Sequence, residues 1–133
     1  MADVQRFRDA QERVYDSVRE EIRAGDKRSH WMWFIFPQVK GLGRSPAAEL
    51  YGIGGRAEAR AYLDDPVLGP RLRECADGVL AHNHLMFGFP DDLKLRSSMT
   101  LFAQVADDPA PFEAVLAKFF DGPDPRTAEL LGQ

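Results

Sequence analysis

Apolar residues near the N-terminus recur at steps of three and four, which is the spacing of one face of an α-helix. This face comprises Val4, Phe7, Ala10, Val14, Val18 and Ile22. Asp3 is placed to cap the start of the helix, and Gly25 is placed to close it in the left-handed conformation. The pattern therefore predicts one amphipathic helix between these two residues.

Residues 30–36 form an almost unbroken apolar and aromatic segment, which is too short for its period to distinguish a helix from a strand. Aromatic and β-branched side chains favour a strand. However, the sequence has no second strand-like segment, and a lone strand would leave its backbone groups unpaired. We therefore expect a short buried helix that Pro37 ends.

Most of the remaining helices begin at a capping residue, often followed by proline, which is accepted in the first turn. These starts are Ser45-Pro46, Asp65-Pro66, Asp91 or Asp92, Asp108-Pro109 and Asp124-Pro125. A further short helix is expected over residues 57–63, and a loop over residues 82–90. The whole pattern predicts an all-α fold, a compact single domain of about seven short helices over residues 1–133.

Composition narrows the class of protein. The 133 residues include one cysteine, Cys75, so no intrachain disulfide can form, which fits a reducing compartment. The N-terminus lacks a secretory signal pattern, and the longest apolar run is far shorter than a membrane span. We therefore expect a cytoplasmic protein that has no membrane partner, and the pattern implies no cofactor. The sequence does not predict the oligomeric state.

The net charge of −4 is unevenly distributed along the chain. Residues 101–133 carry six acids and two bases, whereas acids and bases balance in the rest of the chain. The sequence has no basic stripe of the kind that tracks a phosphate backbone, which argues against duplex nucleic acid as a partner. A ligand with a single phosphate remains an open alternative. His82 and His84 lack a nearby third ligand, so no metal site is expected.

The turn after the aromatic segment is a candidate anion site. Gly41 and Gly43 would let the backbone approach a ligand closely, and a helix starting near Ser45 would direct its free N–H groups at that ligand. Arg44 would add a bidentate clamp on phosphate or carboxylate. The alternative is an ordinary turn between two helices, followed by an N-cap.

The aromatic segment itself supplies candidates for contact with a ring. Trp31 and Trp33 are two residues apart and would point about 200° from each other on a helix, so one can be in the core while the other lines a cleft. The alternative is that both belong to the core. His30 and Gln38 flank the segment, and we consider His30 as a catalytic acid or base, or else as a capping histidine.

The stretch from Lys94 to Thr100 places two cations and three hydroxyls on one predicted helix. Lys94, Ser97 and Ser98 share a face, because they are spaced at i, i+3 and i+4. If this face meets the glycine turn, the two form a polar pocket for an anion. The alternative is that the hydroxyls bond back to carbonyls of their own helix.

Four motifs resemble the bacterial "domain of unknown function 1810" family. They are residues 30–38 with 41–45 (HWMWFIFPQ and GLGRS), 58–63 (EARAYL), 66–72 (PVLGPRL) and 91–102 (DDLKLRSSMTLF). The resemblance runs from about Phe7 to Leu130 and implies a small, mostly helical, stand-alone cytoplasmic domain without a settled activity. The layout is also similar to the NADAR nucleotide N-glycosidases, but that family's catalytic glutamate motif has no match here, so no catalytic residue is carried over.

Two functional hypotheses follow from these features. In the first, the protein binds a small anionic metabolite, phosphorylated or nucleotide-like, and acts on it as an N-glycosidase or hydrolase or only binds it. In the second, it is a non-catalytic module that binds a protein partner through segment 30–38. A deep cleft joining Trp31 to Lys94 would favour the first hypothesis, and a flat exposed aromatic patch would favour the second.

Overall fold

The computed structural model describes residues 4–132, and over this range the chain folds into nine α-helices without a β-strand. The helices are α1 (Gln5–Glu12), α2 (Tyr15–Ala24), α3 (Met32–Ile35), α4 (Pro46–Tyr51), α5 (Arg56–Asp64), α6 (Leu68–Leu80), α7 (Asp91–Val105), α8 (Ala110–Phe119) and α9 (Pro125–Leu130). The predicted all-α class is confirmed, but the described helices number nine rather than about seven. None of these nine has the length and apolar character needed to cross a membrane. The predicted cap Asp3 lies outside the described residues.

The predicted N-terminal helix is two helices joined by a tight turn at Arg13 and Val14, so that prediction was wrong in this respect. In the turn, the Val14 N–H donates to the Gln11 carbonyl at 3.1 Å. The two helices then have different partners, because α1 packs against α3 whereas α2 packs against α6. The break thus allows each helix to pack against a partner that is distant in sequence. The spacing of the apolar residues did not predict this break. Gly25 closes α2 in the left-handed conformation, with φ of 70°, as predicted.

The buried face of α1 and α2 also differs from the predicted one. Gln11 and Tyr15 are buried, whereas Val14 is only half-buried. The Gln11 amide donates to the Phe34 carbonyl at 2.8 Å and to the Tyr62 hydroxyl at 3.0 Å. A polar side chain can be buried when its hydrogen bonds are satisfied, and here the partners come from α3 and α5.

Two of the five predicted caps, Ser45 and Asp124, are confirmed, whereas the N-cap positions of α6, α7 and α8 are Val67, Pro90 and Pro109, which form no side-chain cap. The Ser45 hydroxyl accepts from the Ala48 N–H at 3.1 Å at the start of α4. The Asp124 carboxylate accepts from the Thr127 N–H at 3.0 Å at the start of α9. Both helices carry proline in their first turn, as expected.

The aromatic segment forms the short buried helix that the sequence favoured. Helix α3 is a single turn, and the Trp31 ring before it lies in the core, 6.4 Å from the Phe36 ring and 5.9 Å from the Phe87 ring between centroids. After the segment, the Lys40 N–H donates to the Ile53 carbonyl at 2.8 Å and the Ile53 N–H donates to the Gln38 carbonyl at 2.9 Å. These two bonds join the bend after α3 to the end of α4.

Glu21 on α2 fixes the chain that leads into the aromatic segment. Its carboxylate accepts hydrogen bonds from the Arg28 and Ser29 N–H groups, from the Ser29 hydroxyl and from the Trp31 indole, the last at 2.8 Å. Burial raises the pKa of this carboxyl, but the four donated hydrogen bonds outweigh burial and lower the pKa to about 2.

Two glycines let α6 approach its neighbours closely. A methyl group at Gly69 would lie 2.1 Å from the Leu63 carbonyl oxygen, and one at Gly78 would lie 2.7 Å from a methyl group of Ile22. The first contact is with backbone, which cannot rotate away as a side chain can. Glycine at position 69 is therefore a packing requirement of the junction between α5 and α6.

We expect Gly69→Ala to destabilise the fold by about 1–3 kcal/mol, because overpacking against backbone outweighs the gain in helix propensity. Urea unfolding followed by circular dichroism measures the change. Gly88→Ala is the matched control, since a methyl group at Gly88 has no neighbour within 4 Å. Equal stability of the two variants would contradict the close approach at Gly69.

We expect Glu21→Gln to flatten the acid limb of the stability profile. A carboxyl with a folded pKa of about 2, against an ordinary value of 4.5, stabilises the fold above pH 4.5 and loses this contribution as the pH falls towards 2. The free energy of unfolding of the wild type should therefore fall more steeply over this window than that of Glu21→Gln. Glu20→Gln, at an exposed neighbour that pairs with Arg23, should keep the wild-type slope. Parallel wild-type and Glu21→Gln profiles would refute the assignment.

Candidate functional site

A cleft of about 370 Å³ lies between two walls of the molecule. One wall is formed by the end of α3, the bend after it and α4, and the other by α7 and the start of α9. The lining residues are Trp33, Gln38, Val39, Leu42, Gly43, Ala48, Tyr51, Gly52, Pro90, Leu93, Lys94, Arg96, Ser97, Asp124 and Arg126. The structure thus brings the glycine bend and the basic helix together, as the sequence hypothesis required.

Trp33 and Lys94 meet across the cleft. The Lys94 ammonium lies 4.3 Å from the centroid of the Trp33 ring, which is the geometry of a cation–π contact. Asp91 positions the ammonium by accepting from it at 3.2 Å, and the second carboxylate oxygen of Asp91 lies 3.3 Å from the Lys27 ammonium. One carboxylate therefore partly neutralises two lysines.

The two tryptophans have separate places in the structure. Trp31 is only 1% exposed and donates its indole N–H to Glu21, so it belongs to the core and does not line the cleft. Trp33 is half-buried and presents its ring to the cleft. The cleft thus joins Lys94 to Trp33 rather than to Trp31.

Of the four candidates in the glycine bend, only Gly43 lines the cleft. Gly41, with φ of 107°, faces the Leu130 side chain, and the Ser45 hydroxyl is used to cap α4. Arg44 is exposed and makes no hydrogen bond or ion pair within residues 4–132. These positions match the ordinary turn and N-cap more closely than a cradle for an anion.

The hydroxyls of α7 divide between the cleft and the core. Ser97 lines the cleft and donates to the Leu93 carbonyl at 3.1 Å, one turn back along the helix. Thr100 likewise donates to the Arg96 carbonyl at 2.8 Å. Ser98 is fully buried outside the cleft lining, and its hydroxyl has no partner in the described part of the chain.

The remaining candidates are His30 and Gln38. His30 is exposed on the bend before α3, outside the cleft, and has no hydrogen bond to any described residue. Gln38 lines the cleft, and its side-chain amide has no partner in the portion that the structure describes. The amide is therefore available to a ligand, whereas His30 is not placed to move a proton there.

Two charged residues of the cleft, Asp124 and Arg126, were missed from the sequence, and a third, Arg96, was not singled out within the basic stretch. Arg96 donates to the Gly122 carbonyl at 2.9 Å and to the Pro123 carbonyl at 3.1 Å. These bonds bring Asp124 and Arg126, at the start of α9, to the edge of the cleft. Arg96 lies within the basic stretch that the sequence indicated, but the position of α9 depends on a contact 26 residues distant along the chain.

A second cleft, of about 470 Å³, lies between α2 and α6. Four of its charged residues form ion pairs, Arg19 with Glu74 and Arg23 with Glu20. Cys75 lies at its base, where burial raises the pKa of the thiol to about 12 and keeps it protonated at neutral pH. Asp16 is the one charged residue of this lining without a partner among the described residues, so the cleft offers an unpaired carboxylate but no uncommitted cation and no ionised thiol.

The comparison with protein families agrees with the motifs. The family described as "Protein of unknown function (DUF1810)" matches residues 1–131. The chain belongs to this family. Membership of the DUF1810 family, which the motifs indicated as a resemblance, is thus confirmed. The description of the family names no activity.

A solved structure shares the DUF1810 fold described above. The crystal structure of the conserved hypothetical protein Rv1873 from Mycobacterium tuberculosis is 54% identical in sequence, with a TM-score of 0.95. The similarity covers 98% of this chain and 97% of that chain. The comparison with curated proteins gives no match.

We expect Ser98→Ala to leave this DUF1810 chain as stable as the wild type, or more stable by up to about 1 kcal/mol. The change removes a buried hydroxyl that lacks a hydrogen bond, so the cost of its desolvation disappears. Thr100→Val is the contrasting variant, because the Thr100 hydroxyl also accepts from the Asp124 N–H at 2.8 Å and its loss should destabilise the fold. Thermal unfolding measures both, and a destabilised Ser98→Ala would show that its hydroxyl has a partner.

Proposed function

We propose that this protein binds a small anionic metabolite with a flat ring in the cleft between α3, α4 and α7. The observation that carries the proposal is the meeting of Trp33, Lys94 and the unpaired Gln38 amide at one cavity. An aromatic face, a cation and an uncommitted amide are the polar and apolar groups that small-ligand sites combine.

The charge of the cleft supports an anion. Its lining contains three cations, Lys94, Arg96 and Arg126, against one carboxylate, Asp124. The chain as a whole has a net charge of −4, so the cleft differs in sign from the protein around it. An anion would be drawn to this place more than to the surrounding surface.

The size of the cleft limits the ligand. Its volume of about 370 Å³ is near the lower end for ligand pockets and corresponds to about twelve water molecules of the bulk liquid. This volume suits one ring system with one anionic group. A dinucleotide or ADP-ribose would extend well outside it.

The proposal is limited to binding. Asp124 is the one carboxylate of the described lining, and it accepts from both the N–H and the hydroxyl of Thr127, at 3.0 and 2.6 Å. His30 lies outside the cleft. No residue is therefore assigned to proton transfer, and neither an N-glycosidase nor a hydrolase step is derived.

The alternative function, partner binding through residues 30–38, has less support. Trp31, Met32, Ile35, Phe36 and Pro37 are all buried, so the segment presents no flat aromatic patch to a partner. Only the ring of Trp33 is presented in a concave site, which favours a small ligand over a protein surface.

A calorimetric and thermal-shift screen tests the proposal with nucleoside monophosphates as the expected ligands, sugar phosphates as anions without a flat ring, and ADP-ribose as an anion larger than the cleft. A ligand at 100 times its dissociation constant adds about 2.7 kcal/mol to the stability of the folded state. We expect Trp33→Leu to weaken binding by about tenfold, because a base–aromatic contact is worth about 1–3 kcal/mol. Lys94→Met should weaken binding by a similar factor, because it removes the ammonium that lies over the Trp33 ring and a positive charge from the cleft.

Lys118→Met is the matched control for Lys94→Met. The Lys118 ammonium also lies over an aromatic ring, 5.3 Å from the centroid of Phe119, but on α8 and outside the cleft. Its removal should leave affinity unchanged. The proposal fails if no anion of the panel binds the wild type, or if the three variants lose affinity equally.

A further inference from the structure

The three cations of the cleft differ in how far their charge is already neutralised. Lys94 is held by Asp91 at 3.2 Å and covers the Trp33 ring at 4.3 Å, so its ammonium has two partners within the protein. Asp91 also serves Lys27. An anion that bound Lys94 would have to compete with this carboxylate or lie beside it.

Arg96 has hydrogen bonds but no ion pair. Its Nε and one terminal nitrogen donate to the carbonyls of Gly122 and Pro123, and no carboxylate within residues 4–132 is bonded to it. Neutral carbonyls orient a guanidinium without cancelling its charge. The other terminal nitrogen keeps its donors, which remain free for an anion.

Arg126 has no hydrogen bond or ion pair with any described residue, although it lines the cleft. Its backbone is well fixed, because the Asp124 N–H donates to the Thr100 hydroxyl at 2.8 Å and the Asp124 side chain caps α9. The Asp124 carboxylate is directed at Thr127 rather than at Arg126. A fixed backbone thus carries an uncommitted guanidinium at the edge of the cleft.

We propose that the anionic group of the ligand binds at the corner between Arg96 and Arg126, and that Arg126 is its specificity-determining residue. This inference rests on the proposed function. Trp33, Arg96 and Arg126 line the same cleft of about 370 Å³, so a ring beside Trp33 and an anion at this corner would occupy one cavity. The ligand class is a ring-bearing phosphomonoester or carboxylate, for which two guanidinium groups provide paired donors.

Isothermal titration calorimetry with four probes tests the anion site. The probes are uridine 5′-monophosphate, uridine, benzoate and inorganic phosphate. We expect a charged ring to bind, and uridine or phosphate alone to bind much more weakly, because each lacks half of the site. Binding of the nucleotide, of benzoate or of both shows whether the site accepts a phosphomonoester, a carboxylate or either.

Arg126→Gln should weaken binding of the charged ring by about 10- to 100-fold, and Arg126→Lys should lose less, because it keeps the charge but not the fork. Arg13→Gln is the matched control, since Arg13 is exposed, has no ion pair among the described residues and lies in the turn between α1 and α2. Arg44→Gln tests the glycine bend as the competing anion site.

The outcomes separate this inference from the proposed function. If Trp33→Leu loses affinity while Arg126→Gln keeps it, or if Arg44→Gln loses it instead, the anion site is overturned and the cleft stands. If the wild type binds neither charged ring, this inference fails. A negative result with the wider panel of anions would then overturn the proposed function as well.

Discussion

The cleft depends on the close approach of two backbone segments at Gly52. The Lys40 N–H and the Ile53 N–H form the two hydrogen bonds that join the bend after α3 to the end of α4. A methyl group at Gly52 would lie 2.8 Å from the Ala48 carbonyl oxygen and 2.9 Å from the Lys40 Cβ, so the approach requires glycine. Arg6 of α1 reinforces the same place by donating to the Gly52 carbonyl at 3.0 Å. The bend and α4 therefore behave as one wall of the cleft.

The opposite wall is built by a different device, which is the attachment of α9 to α7. Arg96 and Thr100 hold the segment from Gly122 to Asp124 through side-chain to backbone hydrogen bonds. The other end of α9 places Leu130 against Gly41 in the glycine bend. Helix α9 thus runs from one wall of the cleft to the other. The two walls are therefore held in position by α9 as well as by the contact between Trp33 and Lys94.

Sequence reasoning succeeded where the cause of a structure is local. The caps at Ser45 and Asp124 are hydrogen bonds between residues that are three positions apart in the sequence, so both partners are visible in one short segment. It failed at the turn between α1 and α2 and at the buried Gln11, whose partner Tyr62 is 51 residues distant. The same distinction holds in the site. The spacing of the tryptophans showed that they diverge, but the hydrogen bond from Trp31 to Glu21 decides which of them faces the core.

The charges of the cleft show why the net charge of a sequence segment does not reveal an anion site. Residues 101–133 carry six acids and two bases, so the summed charge of this segment disfavours an anion. Yet one of those two bases, Arg126, lines the cleft and has no partner among the described residues. Its acidic neighbour Asp124 is oriented by the helix cap, and its basic neighbour Arg96 comes from another helix. Electrostatic attraction falls with distance in space rather than along the chain. The balance of positive and negative charge in the cleft is therefore set by the contact between α7 and α9, which a count of charged residues along the sequence does not detect.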